Sequence, residues 1–219
     1  MSIFVRNRPR DNRFKKQVCG IIISIKKSYY MQNIVEVIKE KLLDYSKKSF
    51  EKDGYDFWNN HIKYVFKHSH DMAITRGADV EVCELAALFH DMAMVADFGP
   101  RDEHEKYGAQ MARSMLTELN YPKDKIDLIE QCVLNHRSSG GKLRESTEEQ
   151  IVADADVIAH LDSIPSLFSL VYNKMHMSLE DGREYIKNKL LRDYQKLSPE
   201  GQKELQERFD TTMNVLFVE

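Results

Sequence analysis

Two His-Asp pairs in this sequence have the residue types that chemistry needs, and one of them follows an apolar run. His90 and Asp91 come directly after the five apolar residues 85–89. Such a run predicts a buried helix, and Asp79 ahead of it suits the N-cap position. A buried imidazole and a buried carboxylate are costly unless something pairs with them, and a metal ion is the usual partner. We therefore expect a metal site near the end of this helix.

The other pair, His70 and Asp71, lies in a segment whose helical phase turns these two side chains away from the core. At about 100° per residue, His61 shares a face with Met72, whereas His70 lies about half a turn away beside Lys67 and Asp71. The phase predicts that the earlier pair faces solvent and that His61 faces the core. Of the two pairs, His90-Asp91 is the candidate for chemistry.

The order of His61, His90-Asp91 and Asp156 along the chain resembles a known pattern. It is similar to the H…HD…D pattern of the HD superfamily of metal-dependent phosphohydrolases, and the resemblance covers about residues 56–170. The resemblance implies an all-α fold, the HD-domain helical bundle. It also implies that the side chains of His61, His90, Asp91 and Asp156 bind a divalent metal ion.

Two further histidines, His104 and His136, look like those of family branches that bind two ions. The resemblance therefore implies one or two divalent ions per chain, with Asp91 able to bridge them. One departure matters, because many members follow the His-Asp pair with a small residue and then Lys, whereas Met94 stands at that place here. We expect a basic group beside the metal to come from elsewhere in the chain or to be absent.

The types of side chain restrict both the metal and its chemistry. Imidazoles and carboxylates together suit Mn²⁺, Fe²⁺, Ni²⁺ or Zn²⁺ better than Mg²⁺, which prefers oxygen ligands. A bound ion would polarise a phosphoryl oxygen and lower the pKa of a bound water. Arg101 and Arg137 are candidates for binding the phosphate, because a guanidinium matches its oxygens bidentately. The catalytic candidates are therefore Asp91, Arg101 and Arg137.

Charge is distributed unevenly along the chain. Residues 1–30 hold eight Lys or Arg and one acid, a net charge of +7, whereas the remaining residues have a net charge of −10. An acidic body is poorly suited to nonspecific nucleic-acid binding.

The three cysteines, Cys19, Cys83 and Cys132, have no metal-type spacing and cannot all pair as disulfides because their number is odd. This pattern favours a reducing cytoplasm. No apolar run approaches the roughly 18 residues that span a membrane.

The elements that must position these side chains are helices. Residues 1–30 read as a basic N-terminal extension, either disordered or outside the native protein if Met31 is the true start, and we expect it to be dispensable for catalysis. Residues 31–219 read as the HD domain. Apolar periodicity predicts helices that begin near Ile34, Asp56, Val80, Glu103, Pro122 and Ile151, followed by two amphipathic helices. The third is predicted over residues 80–95, and Thr147–Gln150 has the pattern of a capping box for the sixth.

These observations predict a cytoplasmic, metal-dependent phosphohydrolase. Its substrate would be a phosphomonoester or phosphoanhydride of a small nucleotide-like molecule, and a homo-oligomer is compatible with the sequence. Two alternatives stay open. One is a diiron oxygenase on the same scaffold, and the other is a non-catalytic, metal-stabilised binding module that uses residues 1–30 as its contact.

Overall fold

The computed structural model describes residues 34–137 and 144–217, and these residues form an all-α fold, as predicted. The α-helices are α1 Ile34–Asp53, α2 Lys63–Arg76, α3 Val80–Phe89, α4 Met92–Val95, α5 His104–Glu118, α6 Lys123–Asn135, α7 Thr147–Asp162, α8 Ile164–Ser169, α9 Leu179–Gln195 and α10 Pro199–Leu216. Wider π-helical turns at Trp58–Ile62 and Leu170–Lys174 lead into α2 and out of α8. A single 3₁₀ turn, Arg101–Glu103, precedes α5. None of the described helices is both long and apolar enough to cross a bilayer.

The predicted basic extension at residues 1–30 and the predicted start at Met31 lie outside the described residues. So does the Ser-Gly segment after Arg137, at residues 138–143. Both expectations about the N-terminus therefore stay predictions.

The centre of the bundle is α3, which is apolar on all sides over residues 85–89. Leu85, Leu88 and Phe89 are fully buried, and α3 packs against α1, α2, α6 and α7. A helix that is hydrophobic all round belongs in the middle of a core rather than at its surface. The end of α3 therefore delivers His90 and Asp91 into the interior.

A second core lies in the C-terminal part of the chain. It is built from α7 through α10 and has as its buried members Leu161, Leu167, Val171, Ile186, Leu190, Phe209 and Phe217. This cluster holds α9 in place, and α9 also contacts α7. The C-terminal helices thus pack beside the helix that carries Asp156.

Local signals set most of the helix ends. The side chain of Asp79 accepts a hydrogen bond from the backbone of Val82 at 3.1 Å, so the predicted N-cap of α3 is confirmed. The capping box of α7 was predicted one residue too late, because Ser146 rather than Thr147 caps the helix. Ser146 and Glu149 have the required three-residue spacing and satisfy each other's backbone N–H groups.

Candidate metal centre

The chain breaks its helix at the His-Asp pair. The prediction of one helix over residues 80–95 is wrong here: α3 ends at Phe89, and Asp91 takes φ −111° and ψ 4° before α4 begins. In a regular helix, two adjacent side chains would diverge by about 100°. The break instead leaves Nε2 of His90 3.5 Å from Oδ2 of Asp91, so both groups face one point.

His61 and Asp156 reach the same point from two other elements. His61 lies in the π-helical turn before α2, and its Nε2 is 3.2 Å from Nε2 of His90 and 3.7 Å from Oδ2 of Asp91. Oδ1 of Asp156, on α7, lies 3.2 Å from the same nitrogen of His61. A π-helical turn is a common local feature of functional sites. The structure therefore brings together the four side chains of the H…HD…D pattern.

His104 and His136 approach Asp91 from its other side. Nε2 of His104 is 3.1 Å from Oδ1 of Asp91, and ligand atoms of Asp91, His104 and His136 all lie within 4.8 Å of one another. Gly108 makes this approach possible, since a Cβ there would lie 2.9 Å from the carbonyl of Phe89. The absence of a side chain lets α5 pack closely against the end of α3.

Three of the imidazoles have their orientation fixed by the backbone. Nδ1 of His90, His104 and His136 lies 2.7, 2.8 and 2.7 Å, respectively, from the carbonyl oxygen three residues earlier. A carbonyl can only accept, so Nδ1 carries the proton and donates it, and Nε2 keeps its lone pair for the centre. This pairing is the usual way in which a protein orients a metal-binding imidazole.

A comparison with protein families identifies the central part of the chain. A family model of the HD domain matches residues 59–161. Residues 59–161 of this chain are an HD domain. The matched range contains all six side chains of the centre, namely His61, His90, Asp91, His104, His136 and Asp156.

The same fold also occurs among solved structures. An HD-superfamily hydrolase from Bacillus thuringiensis shares 21% identity over 84% of this chain and 98% of its own, with a TM-score of 0.54. The Lin1889 protein from Listeria innocua shares 21% identity over 82% of this chain and 93% of its own, with a TM-score of 0.53. At such identities the likeness concerns the fold. No curated protein sequence matches the chain.

Burial and mutual charge set the protonation of the centre of the HD domain. Burial lowers the pKa of His61 to about 4 and that of His136 well below its ordinary value, so both are neutral near pH 7. Burial also opposes charge on His104, but the hydrogen bond and the negative charge of Asp91 outweigh it and raise the pKa of His104. Burial alone would raise the pKa of Asp91, yet the neighbouring His90 and His104 hold it well below its usual range. For His61, His136 and Asp91, these are the protonation states that a metal ion requires.

Lys196, just after α9, is a cation at the centre that the sequence analysis missed. Its Nζ donates to Oδ2 of Asp156 at 2.8 Å and contacts Oδ1 of Asp193 at 3.2 Å, and its side chain is only 8% exposed. His160 completes this group: its ring stacks on that of His61, and its Nδ1 lies 3.0 Å from Oδ2 of Asp193 without the alignment of a hydrogen bond. Lys196 lies outside the residues of the HD match and offers a basic group beside the centre, a place that the Met94 departure left open. No motif marks Lys196, and only its spacing from the residues of α9 could have drawn attention to it.

A cavity of about 740 Å³ opens onto the centre, and Arg101 and Arg137 both line it. Arg101 is exposed and makes no ion pair with any residue of the described ranges. Arg137 is already engaged, since its guanidinium donates to the carbonyl of Asp102 at 3.0 Å and to Glu105 at 3.2 Å. Arg101 is thus the more available of the two candidates for binding an anion.

The other His-Asp pair and Asp154 lie away from the centre. Nδ1 of His70 lies 2.8 Å from a carboxylate oxygen of Glu84, and Lys67 donates to Asp71 at 2.8 Å near the surface. Asp154, two residues before Asp156, is fully buried and belongs to a separate hydrogen-bonded group. The structure therefore separates the two His-Asp pairs as the helical phase predicted.

Proposed function

We propose that this chain is a metal-dependent phosphohydrolase that acts on a small phosphorylated substrate. The observation that carries the proposal is the position of Asp91 between two groups of imidazoles at the floor of a large cavity. Oδ2 of Asp91 lies near His61 and His90, whereas Oδ1 lies near His104. A carboxylate shared in this way suits a bridge between two ions.

The donor set fits divalent transition metals. In this proposal His61, His90, Asp91 and Asp156 hold one ion, and Asp91, His104 and His136 hold a second. Four imidazoles and two carboxylates favour Mn²⁺, Fe²⁺, Ni²⁺ or Zn²⁺ over Mg²⁺. When bound, such ions supply Lewis acidity toward phosphoryl oxygens and make hydroxide available near neutral pH.

The side chains around the donors have separate tasks in the proposed hydrolysis. The free guanidinium of Arg101 binds and orients the phosphate oxygens, because it offers paired donors at the cavity wall. Arg137 is fixed by Glu105 and Asp102, so it adds positive potential more than a direct bond. Lys196 fixes Asp156, because it holds Oδ2 and leaves Oδ1 toward His61. The buried rings of Tyr55 and Phe57 close part of the cavity wall against water.

The likeness to known proteins supports the same reaction class. The residues of the centre lie inside the HD match, and the Bacillus thuringiensis relative is called a hydrolase. That name concerns the relative, and we extend it to this chain as part of the proposal. Neither an oxygenase nor a binding module is favoured by a particular observation in the described residues.

The test combines metal analysis with a screen for turnover. Protein reconstituted with Mn²⁺ or Fe²⁺ is expected to retain the metal after gel filtration and to release inorganic phosphate or pyrophosphate from a panel of nucleotides and phosphoesters. Oxygen uptake is measured in parallel with the iron-loaded protein. Iron-dependent oxygen consumption without phosphate release would replace the proposal with the oxygenase, and retained metal without either reaction would favour a binding module.

A further inference from the structure

One face of α9 presents a line of polar side chains to the cavity. Tyr185, Lys189, Arg192 and Lys196 follow one another at steps of four, three and four residues. Side chains at this spacing lie on one face of a helix. All four line the cavity that also contains the histidines and aspartates of the candidate metal centre. We call these four residues the α9 face.

The α9 face is held rigidly by the helix side next to it. Ile186 and Leu190, one residue further along from Tyr185 and Lys189, are 0% and 1% exposed and pack in the C-terminal core with Phe209. Because α9 cannot rotate without exposing these apolar side chains, its cations keep their direction toward the cavity.

The α9 face has three cations, and within the described residues they contact only two carboxylates. Lys196 contacts Asp156 and Asp193, and Lys189 contacts Asp193 at 3.2 Å. Asp193 is therefore shared by both lysines, and Asp156 belongs to the candidate metal centre. Arg192 is exposed at the cavity and forms no ion pair within residues 34–137 and 144–217. Its guanidinium thus keeps all of its donors for a ligand.

Arg101, from the loop before α5, also lines this cavity and is likewise without an ion pair in the described ranges. One phosphate group at the candidate metal centre would account for Arg101. It would leave Arg192 and the surplus charge of Lys189 without an anion, in a cavity of about 740 Å³ that is large for a single phosphate. Guanidinium and ammonium groups that converge in a cavity favour an oxyanion, because each charge-assisted hydrogen bond is stronger than a neutral one.

We propose that Lys189 and Arg192 form a second anion-binding subsite, which takes a phosphate group other than the one that is hydrolysed. This inference rests on the proposed function for the position of the first phosphate. The substrate is accordingly a small molecule with at least two phosphate groups. These groups are either adjacent in a phosphoanhydride chain or attached at separate positions of one molecule, and the shared chemistry is a second phosphate oxyanion at α9.

The direct test is binding, measured by calorimetry on the full chain. The probes are inorganic phosphate, tripolyphosphate and a sugar bisphosphate, and the metal content is measured before and after each titration. The wild-type protein should bind one of the two larger probes at least tenfold more tightly than phosphate. If tripolyphosphate binds more tightly, the two phosphate groups of the substrate are adjacent. If the sugar bisphosphate binds more tightly, they are attached at separate positions. Equal affinity for all three probes would overturn the subsite.

Variants of exposed arginines on α9 provide the matched comparison. Arg192→Ala should weaken binding of the tighter probe about tenfold and leave the affinity for phosphate unchanged. Arg183→Ala, on the same helix but outside the cavity lining, should bind every probe like the wild type. Lys189→Met, like Arg192→Ala, should weaken binding of the tighter probe. An unchanged affinity in both Arg192→Ala and Lys189→Met would refute the assignment.

Kinetics separate this inference from the proposed function. For a substrate with two phosphate groups, Arg192→Ala should raise KM about tenfold and keep kcat within a factor of about two. For p-nitrophenyl phosphate, which has one phosphate group, KM should not change. If the wild type hydrolyses nothing, the proposed function fails, and the calorimetric comparison still decides the subsite. If the wild type hydrolyses these substrates and Arg192→Ala leaves both KM values unchanged, only the subsite fails.

Discussion

Asp91 turns its Oδ1 atom toward His104, 3.1 Å from Nε2. Its other carboxylate oxygen, Oδ2, lies 3.5 Å from His90 and 3.7 Å from His61. This one side chain thus lies between two groups of imidazoles, and the break in the helix after α3 is what allows it to do so. The proposal of two metal ions follows from this position.

The two His-Asp pairs should respond differently to mutation. His90→Ala and Asp91→Ala are each expected to abolish metal retention and hydrolysis, because each removes a donor at the centre. His70→Ala and Asp71→Ala serve as matched controls and should change neither property, since these residues pair with Glu84 and Lys67. Metal analysis and phosphate release check all four variants. Inactivation by His70→Ala with an active His90→Ala would mean that the wrong pair has been chosen.

Asp154 and Asp156, although only two residues apart, should show different defects. Asp154 is fully buried and accepts hydrogen bonds from Ser198 at 2.7 Å and Arg76 at 2.9 Å. Asp154→Ala should lower the free energy of unfolding by about 3 to 5 kcal/mol, because it leaves a partly buried guanidinium without its partner. Urea denaturation measures this change.

Metal content distinguishes the two aspartates. Asp154→Asn, which keeps the shape of the side chain, should fold and retain the metal content of the wild type. Asp156→Asn should fold as well and lose metal. Equal metal loss in the two variants would argue that Asp154 also serves the centre.

The metal-free HD domain should lose stability in mildly acidic solution. The pKa of His61 is about 4 in the folded protein and 6.5 in the unfolded chain, and burial is the main cause. Between these values the unfolded chain binds a proton that the folded protein does not, so the free energy of unfolding falls as the pH is lowered from 6.5 to 4. The contribution of His61 is at most about 3 kcal/mol, and His136 acts in the same direction.

Two variants test the sign of this pH dependence. His61→Asn should flatten the decrease in the free energy of unfolding between pH 6.5 and 4, measured by urea denaturation of protein treated with a chelator. His104→Asn should leave the slope between pH 6.5 and 4 nearly unchanged and act above pH 6.5, because the pKa of His104 is raised in the folded protein. The stability that His104 contributes is lost as the pH rises through that raised pKa, so the variant should lose less stability than the wild type over that range. Parallel curves for the wild type and both variants would contradict the assignment of these pKa shifts.

Much of the architecture was predictable because it depends on local patterns. Helical phase separated His61 from His70, and the N-cap at Asp79 follows from residue type and position. The family pattern named His104 and His136, which the structure brings near Asp91. The helical pattern did not predict the break at the His-Asp pair. A long apolar run by itself predicts an uninterrupted helix.

The contribution of the C-terminal helices could not be predicted from local patterns. Lys196 is 40 residues from Asp156 along the chain and contacts it only because the second core packs α9 beside α7. No spacing rule connects two groups across such a distance. The four-three-four spacing of Tyr185, Lys189, Arg192 and Lys196 was visible, but alone it is equally typical of a solvated helix face. Tertiary packing turned that face toward the cavity.

The most direct test of the account is the number of metal ions per chain in the wild type and in the double variant His104→Ala/His136→Ala. After reconstitution with Mn²⁺ and gel filtration, elemental analysis should give about two equivalents for the wild type and about one for the double variant. Hydrolysis should fall strongly in the variant, because Asp91 would then hold a single ion with His61, His90 and Asp156. Equal metal content and equal turnover in the two proteins would contradict the account and make both histidines structural.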